Sequence, residues 1–422
     1  MSQRVPTLPS RARTGLPRNP NGRLVPRCVL ATTRVEDSEA PAPDLAHRVT
    51  ISEYSERRQT SPYNRWFETL IAAEIEIMTS MKLFVTGGAG FIGCNFIRYW
   101  FEMYPKDTVM NFDLLTYAGD ASSLGDIASA AGSRYELVVG DICDVELVGA
   151  ALSRFGPDAI VNFAAESHNS RAVINPGAFV RANVLGTQTL LDAARTLGPT
   201  RFHHISTCEV YGDMALDATT AFTEESSYLP RTPYNASKAG ADLLVRAYQL
   251  TFGLPATISN CANNYGPFQH PEKVVPLFVT NALDAVPLPL YRQSGHRREW
   301  LHVRDHCRAI DAILRNGRIG ETYNVGSGEE RTIEGLADAV LDATGQPRGL
   351  KQYVEDRPGH DRRYLLDHSK ITRELGWRPE ISFDDGLHET VRWYQHNRPW
   401  WAAKKARLTY ELDESKWPAA NR

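Results

Sequence analysis

The chain has 422 residues, of which 42% are hydrophobic and 23% charged, with a formal net charge of −3. A chain of this size buries a substantial core in about two or three domains, and its near-balanced charge argues against a nucleic-acid surface or a polybasic membrane anchor. No apolar run approaches the roughly 18 residues of a membrane-spanning helix, so no membrane partner is expected.

Residues 1–34 carry seven arginines and no acidic residue, interrupted by Pro6, Pro9, Pro17, Pro20 and Pro26. Those prolines discourage the amphipathic helix of a transit peptide. The tract from Val35 stays polar until "YNRWFETLIAAEIEIM" (63–78), which reads as one helix. The expectation for 1–80 is a largely disordered extension with one docking helix, or a natural start at Met78 or Met81. The six cysteines (Cys28, Cys94, Cys143, Cys208, Cys261, Cys307) are far apart and form no CxxC pair. That pattern points to reduced thiols in a cytoplasmic protein, with neither a disulfide framework nor a zinc site.

From Met81 the order of elements becomes regular. "MKLFVTGGAGFIGCNFIRYW" reads as a short buried strand, a turn with Gly87, Gly90 and Gly93 spaced three apart, and a helix starting near Phe91. In a dinucleotide site the first glycine turns the chain, the second admits the pyrophosphate, and the third lets helix pack on strand. The helix N-terminus then offers unpaired N–H groups to the phosphates. The next strand, "TVMNFD", ends at Asp113, 20 residues past Gly93. A carboxylate there binds ribose hydroxyls and repels a 2′-phosphate, which favours NAD over NADP. A third strand, "YELVV", leads to Asp141, suited to reading an adenine amino group. A fourth, "AIVNF", ends at small Ala164 and Ala165. Alternating strands and helices of this kind specify a doubly wound parallel α/β sheet.

"HHISTCEVYG" (203–212) is a strand end carrying Thr207, Cys208 and Glu209, and "TPYNASKAG" places Tyr234 four residues before Lys238. One helical turn puts the phenol and the ammonium on one face. The cation favours phenolate there, a base suited to taking a hydroxyl proton as hydride leaves the same carbon. Farther on, "ISNCANNYGP" ends in Asn263 and Asn264, which also suit a turn.

Glycine turn, Asp113, Tyr234 and Lys238 together resemble an extended short-chain dehydrogenase/reductase. The runs "FDLLTYAGD", "AAESH", "FHHISTCEVYGD", "TPYNASKAG", "NCANNYGPFQHPEKVVPL", "REWLHVRDHCRAI", "ETYNVGSG" and "DRPGHDRRYLLD" resemble, in order and spacing, the dTDP-glucose 4,6-dehydratase family from about Met81 to about Trp400. The resemblance implies a Rossmann-type NAD domain over 81–255, a smaller substrate-binding α/β domain mainly over 256–400, and a homodimer; residues 401–422, beyond its reach, read as a polar, partly helical tail. It implies cofactor contacts at Phe91, Ile92, Thr116 and Ile142 besides those above. It implies C4 oxidation of a nucleotide-activated hexose with Tyr234 as base and Thr207 on the C4 oxygen. Elimination across C5 and C6 with Glu209 as base and hydride return to C6 follow. Substrate contacts are implied at Ser167, His168, Asn263, Lys273, Val274, Tyr291, Arg298, Arg357 and His360.

One residue departs from the family's Thr-Asp-Glu triplet, which here is Thr-Cys-Glu. A thiol with an ordinary pKa near 8.5 is protonated at neutral pH, yet it is about four units weaker as an acid than a carboxylic acid. Three readings stay open. Cys208 is a substitute acid, or Glu209 handles both protons while Cys208 fills space, or the reaction differs and yields a 5,6-ene or a C4 epimer.

Overall fold

The computed structural model describes residues 80–198, 200–292, 294–356 and 361–411. The helix expected over 63–78, the rest of the N-terminal extension, Arg357 and His360 lie outside the described residues. The strands are, in chain order, β1 (Lys82–Thr86), β2 (Thr108–Asp113), β3 (Tyr135–Val139), β4 (Ala159–Asn162), β5 (Arg201–Thr207), β6 (Ala256–Cys261), β7 (Asn263–Tyr265), β8 (Leu288–Tyr291), β9 (Arg297–His302), β10 (Thr322–Val325), β11 (Glu330–Thr332) and β12 (Lys351–Val354). The longer helices are α1 (Phe91–Met103), α2 (Val145–Phe155), α3 (Gly186–Leu197), α4 (Pro233–Phe252), α5 (Val274–Leu283), α6 (Val303–Asn316), α7 (Ile333–Thr344), α8 (Phe383–His396) and α9 (Arg398–Glu411).

Seven strands form one parallel sheet in the order β10-β6-β5-β4-β1-β2-β3. β1 and β4 are largely apolar on both faces, as strands covered on both sides require, while β5 and β6 bury the polar side chains His203, His204, Ser206, Thr257, Ser259 and Asn260. Phe84, Met110 and Phe112 pack toward one layer with Val148, Leu190 and Val245. Their neighbours Leu83, Val85 and Val109 pack toward the other, with Phe96, Ile97, Val303 and Ile310. The chain first builds outward from β1 through β2 to β3, then returns to lay β4 on the other side of β1. Strand order thus reverses between β1 and β4, and the connections after these strands leave to opposite sides. A crevice opens at their carboxyl ends, where ligands bind in such sheets.

The smaller sheets, β11-β9-β7 and β12-β8, pack with α5, α7 and α8 around a second core that includes Tyr265, Phe278, Trp300, Leu336 and Phe383. Sequence order and layers interleave: β6 and β10, both past residue 255, belong to the large sheet. The segment expected to be a tail is packed as far as α9 reaches. Trp401 is buried in the second core, the Trp400 indole donates to Ser123 Oγ at 3.0 Å, and Lys404 pairs with Asp120. Its apolar face, carried by two adjacent tryptophans, explains why it docks. Among the described residues no helix is long and apolar enough to cross a membrane.

Candidate active site

A cavity of about 420 Å³ lies at the carboxyl ends of β1, β2, β4, β5 and β6. One end is a cradle for a dinucleotide. Gly87 has φ +67° and its added Cβ would stand 2.6 Å from the Ala164 backbone nitrogen, so only glycine fits between the first and fourth strands. A Cβ on Gly93 would overlap the Gly87 carbonyl oxygen, which fixes how closely α1 approaches the turn. The N-cap of α1 is Gly90, with no side chain capping it. Its first-turn N–H groups, at cavity-lining Phe91 and Ile92, are therefore available to an anion.

Asp113 is buried and pins the turn, accepting the Ala89 N–H and the Leu115 N–H at 2.8 Å each. Each carboxylate oxygen keeps a lone pair for a ribose hydroxyl. Asp141 lines the far wall, accepting from the Cys143 N–H at 2.8 Å and from Arg181 at 2.6 Å. Thr116, Ile142, Ala164 and Ala165 complete this half. Phosphate-facing N–H groups, close backbone approach and a buried carboxylate at the second strand fit NAD.

The other end holds the reactive side chains. Thr207 ends β5 and accepts the Glu209 N–H at 3.3 Å, capping the short turn Cys208–Tyr211. Glu209 accepts from the Asn169 amide at 3.0 Å. α4 begins at Pro233, with its first N–H groups satisfied by Thr232, whose hydroxyl accepts the Asn235 N–H at 3.2 Å. Tyr234 and Lys238 follow in its first turns, and both line the cavity with Thr207 and Glu209.

Lys238 Nζ donates to the Ile205 carbonyl at 2.6 Å. Burial pushes the ammonium down to about 8, while the charge of Asp242 acts the other way. Asp242 is itself pushed up to about 6 by burial, against Lys238 and hydrogen bonds from Ser206 and Tyr228. His204 lies beneath the pair, 3.5 Å from Asp242. Its Nδ1 faces the Asn162 amide nitrogen at 3.1 Å. Asn162 Oδ1 accepts from Thr86, and on the other side of the ring His204 Nε2 stands 3.3 Å from Lys238 Nζ. Burial holds this imidazole neutral.

The Tyr234 phenol is pushed well above its ordinary value by burial first, then by the charge of Glu209 and by Cys261, with a Thr207 hydrogen bond acting the other way. The expected downward pull of Lys238 on the phenol therefore does not prevail in the chain by itself.

Not every expected residue joins the cavity. Ser167, Asn263 and Lys273 line it, and Lys273 donates to the Ser167 carbonyl at 2.6 Å. Cys208 does not line it; it is 1% exposed among Val210, Tyr211, Ala239 and Leu301. Arg298 is buried away from the lining and holds the 361–362 backbone, donating to the carbonyls of Asp361 at 2.7 Å and Arg362 at 3.2 Å. Its guanidinium lies over the Tyr364 ring at 4.8 Å. Tyr291 closes β8 beside Val354, Val274 starts α5, and His168 is buried near Glu272 at 4.0 Å.

The fold also brings in residues that sequence reasoning does not single out. Glu272 accepts from Tyr117 at 2.9 Å and lies 3.5 Å from Arg171; its place in the "PEK" run is the available signal. Arg181, Asn169, Asp242 and His204 carry none beyond being polar.

A glycine-cradled dinucleotide pocket that merges with a Tyr-Lys pair on α4 defines an extended short-chain dehydrogenase/reductase. The model of the family described as GDP-mannose 4,6 dehydratase matches residues 84–390. A dTDP-glucose 4,6-dehydratase from Salmonella typhimurium is 45% identical, over 76% of this chain and 94% of its own length. One from Streptomyces niveus is 47% identical, over 77% and 96% respectively. The crystal structure of a Streptomyces venezuelae dTDP-glucose 4,6-dehydratase with NAD bound superposes with a TM-score of 0.74, at 49% identity, covering 77% of this chain and all of that one (100%). The chain belongs to the dTDP-glucose 4,6-dehydratase family.

The cradle makes a direct prediction. Gly93→Ala should force α1 away from the turn, so the purified protein should lose bound dinucleotide, read as released NAD after acid denaturation. Full retention would show that the close approach is dispensable.

Proposed function

We propose that the protein converts dTDP-glucose to dTDP-4-dehydro-6-deoxy-glucose, with the residue roles that follow. The observation that carries this reading is that Thr207, Glu209 and Tyr234 share one wall at the inner end of the dinucleotide cradle. NAD bound in the cradle supplies a hydride acceptor at C4, a hydride donor at C6 and a positive charge beside the phenol. Tyr234 takes the C4 hydroxyl proton, and Thr207 holds the C4 oxygen. Lys238, anchored on Ile205, keeps its ammonium near the phenolate. The resulting ketone acidifies the C5 proton, which Glu209 removes. Asn263, Lys273 and Ser167 hold the hexose and diphosphate, while Arg298 shapes the wall by fixing residues 361–362. Free, widely spaced cysteines among the described residues support a reducing cytoplasmic setting.

A homodimer is part of the proposal. Leu243 and Leu250, 57% and 80% exposed, lie two turns apart on one face of α4, and Val180 and Leu185 are exposed on the neighbouring segment. An unpaired apolar face of this kind suits a second copy. Sedimentation should give a dimer, with Leu250→Glu shifting it toward monomer; a monomeric wild type would remove this part.

Incubation with dTDP-glucose, UDP-glucose and GDP-mannose tests the activity. The expected product forms from the dTDP sugar, is lighter by one water and shows a C6 methyl by NMR. Unchanged mass with altered stereochemistry would replace the reading by epimerisation, and water loss without a methyl would indicate a 5,6-ene.

The buried pair predicts the pH dependence. Lys238 loses its proton as pH rises through about 8, so turnover should fall on that side. Because Asp242 raises Lys238, Asp242→Asn should move this basic limb to lower pH. An unmoved limb in the pH–kcat profile would separate Asp242 from the ammonium.

A further inference from the structure

Resting on the dehydratase reading, we propose that Glu209 alone carries the proton of the C5–C6 elimination and that Asn169 is the positioning residue that aims its carboxylate. Cys208 then packs the strand end and takes no proton.

The argument begins at the cap of α4. Thr232 accepts the Asn235 N–H at 3.2 Å, so its lone pair faces the helix and its single proton points outward. That proton goes to Asn169 Oδ1 at 2.8 Å. With its oxygen so occupied, the Asn169 amide must turn its NH₂ group to Glu209, and it donates to Oε2 at 3.0 Å. One carboxylate oxygen is held, and the other is left for the sugar. The cap of the helix carrying Tyr234 and Lys238 therefore also orients the base at the end of β5.

Cys208 stands between two residues that line the cavity, Thr207 and Glu209, and lines nothing itself. It is enclosed by Val210, Tyr211, Ala239, Cys261 and Leu301. Burial first, and then the charge of Glu209, push its thiol well above the ordinary value. A thiol in that setting is a poor partner for a departing hydroxide.

A single carboxylate can complete the step. Glu209 takes the C5 proton, and the C5–H electron pair becomes the C5–C6 double bond as the C6–O bond breaks. The departing hydroxide takes the same proton from the Glu209 carboxyl group and leaves as water. The carboxylate is regenerated, provided C5–H and C6–O lie on the same face of the sugar.

The test uses the holoenzyme with dTDP-glucose and compares wild type, Asn169→Ala, the isosteric Asn169→Asp and Cys208→Ala. A hydrogen bond to a charged group supports an effect of about tenfold or more. Both Asn169 variants should lose at least about tenfold in kcat with little change in KM. C4 oxidation should continue while elimination lags, so the absorbance of reduced nicotinamide should build up in steady state. Wash-in of solvent deuterium at C5 should slow in parallel. Cys208→Ala should stay within about twofold of wild type on every readout. A tenfold loss in Cys208→Ala with the same absorbance build-up would make the thiol the acid and overturn the proposal. So would Asn169→Asp that retains cofactor and turns over at the wild-type rate. Failure of the wild type itself to release water from dTDP-glucose would instead sink the dehydratase reading.

Discussion

Lys238 donating to the Ile205 carbonyl ties the helix that carries Tyr234 to the strand that ends in Thr207 and Glu209. Burying an ammonium is costly, and it persists only where hydrogen bonds and an opposite charge compensate it. Here the compensation comes from Ile205 and from Asp242, which is held in turn by Ser206 and Tyr228 and lies beside neutral His204. The network clamps α4 against β5 at one register. Moving either element by one residue would separate the phenol from the carboxylate, because side chains on the strand alternate faces.

The same strand ends build the cofactor cradle. Gly87 rests on the Ala164 backbone, and Asp113 holds the turn through Ala89. The turn after β1, the end of β2 and the segment after β4 thus become one rigid wall. Such a wall suits a cycle in which oxidised and reduced cofactor must stay put between half-reactions, since any escape would strand a ketosugar. The second core, around Tyr265, Phe278 and Trp300, supplies the opposing wall through Asn263, Asn264 and Lys273. It can do so because β6 returns to the large sheet and β7 leaves it two residues later.

Much of this architecture is legible in the amino-acid sequence. The glycine spacing, the strand-end triplet and the Tyr-Lys turn are local signals, each depending on residues within one or two turns of each other, and Asp113 is marked by its place at the end of the next strand, 20 residues past Gly93. What stays illegible depends on long-range neighbours. Arg298 is expected at the substrate by resemblance, but nothing in its own segment shows that its fork meets the carbonyls of Asp361 and Arg362, more than 60 residues away in sequence. Asn169 gives no signal because its meaning comes from Thr232 and Glu209, which lie 63 and 40 residues off. The segment after residue 400 reads as a polar tail because Lys404, Lys405 and Arg407 sit among its few apolar residues. Lys404 and Lys405 pair with Asp120 and Asp284 while the tryptophans pack.

The class of fold, the dinucleotide cradle, and the chemistry available at positions 207, 209, 234 and 238 all follow from the order of residues. Backbone conformation, helix starts and apolar periodicity are properties of short segments, so short segments reveal them. Which of those chemical groups face the cavity is instead a property of the packed molecule. Thr207 and Glu209 reach it and Cys208 turns into the core, because a turn at a strand end sends neighbouring side chains to different sides. Only the packing around that turn says which side is solvent and which is protein.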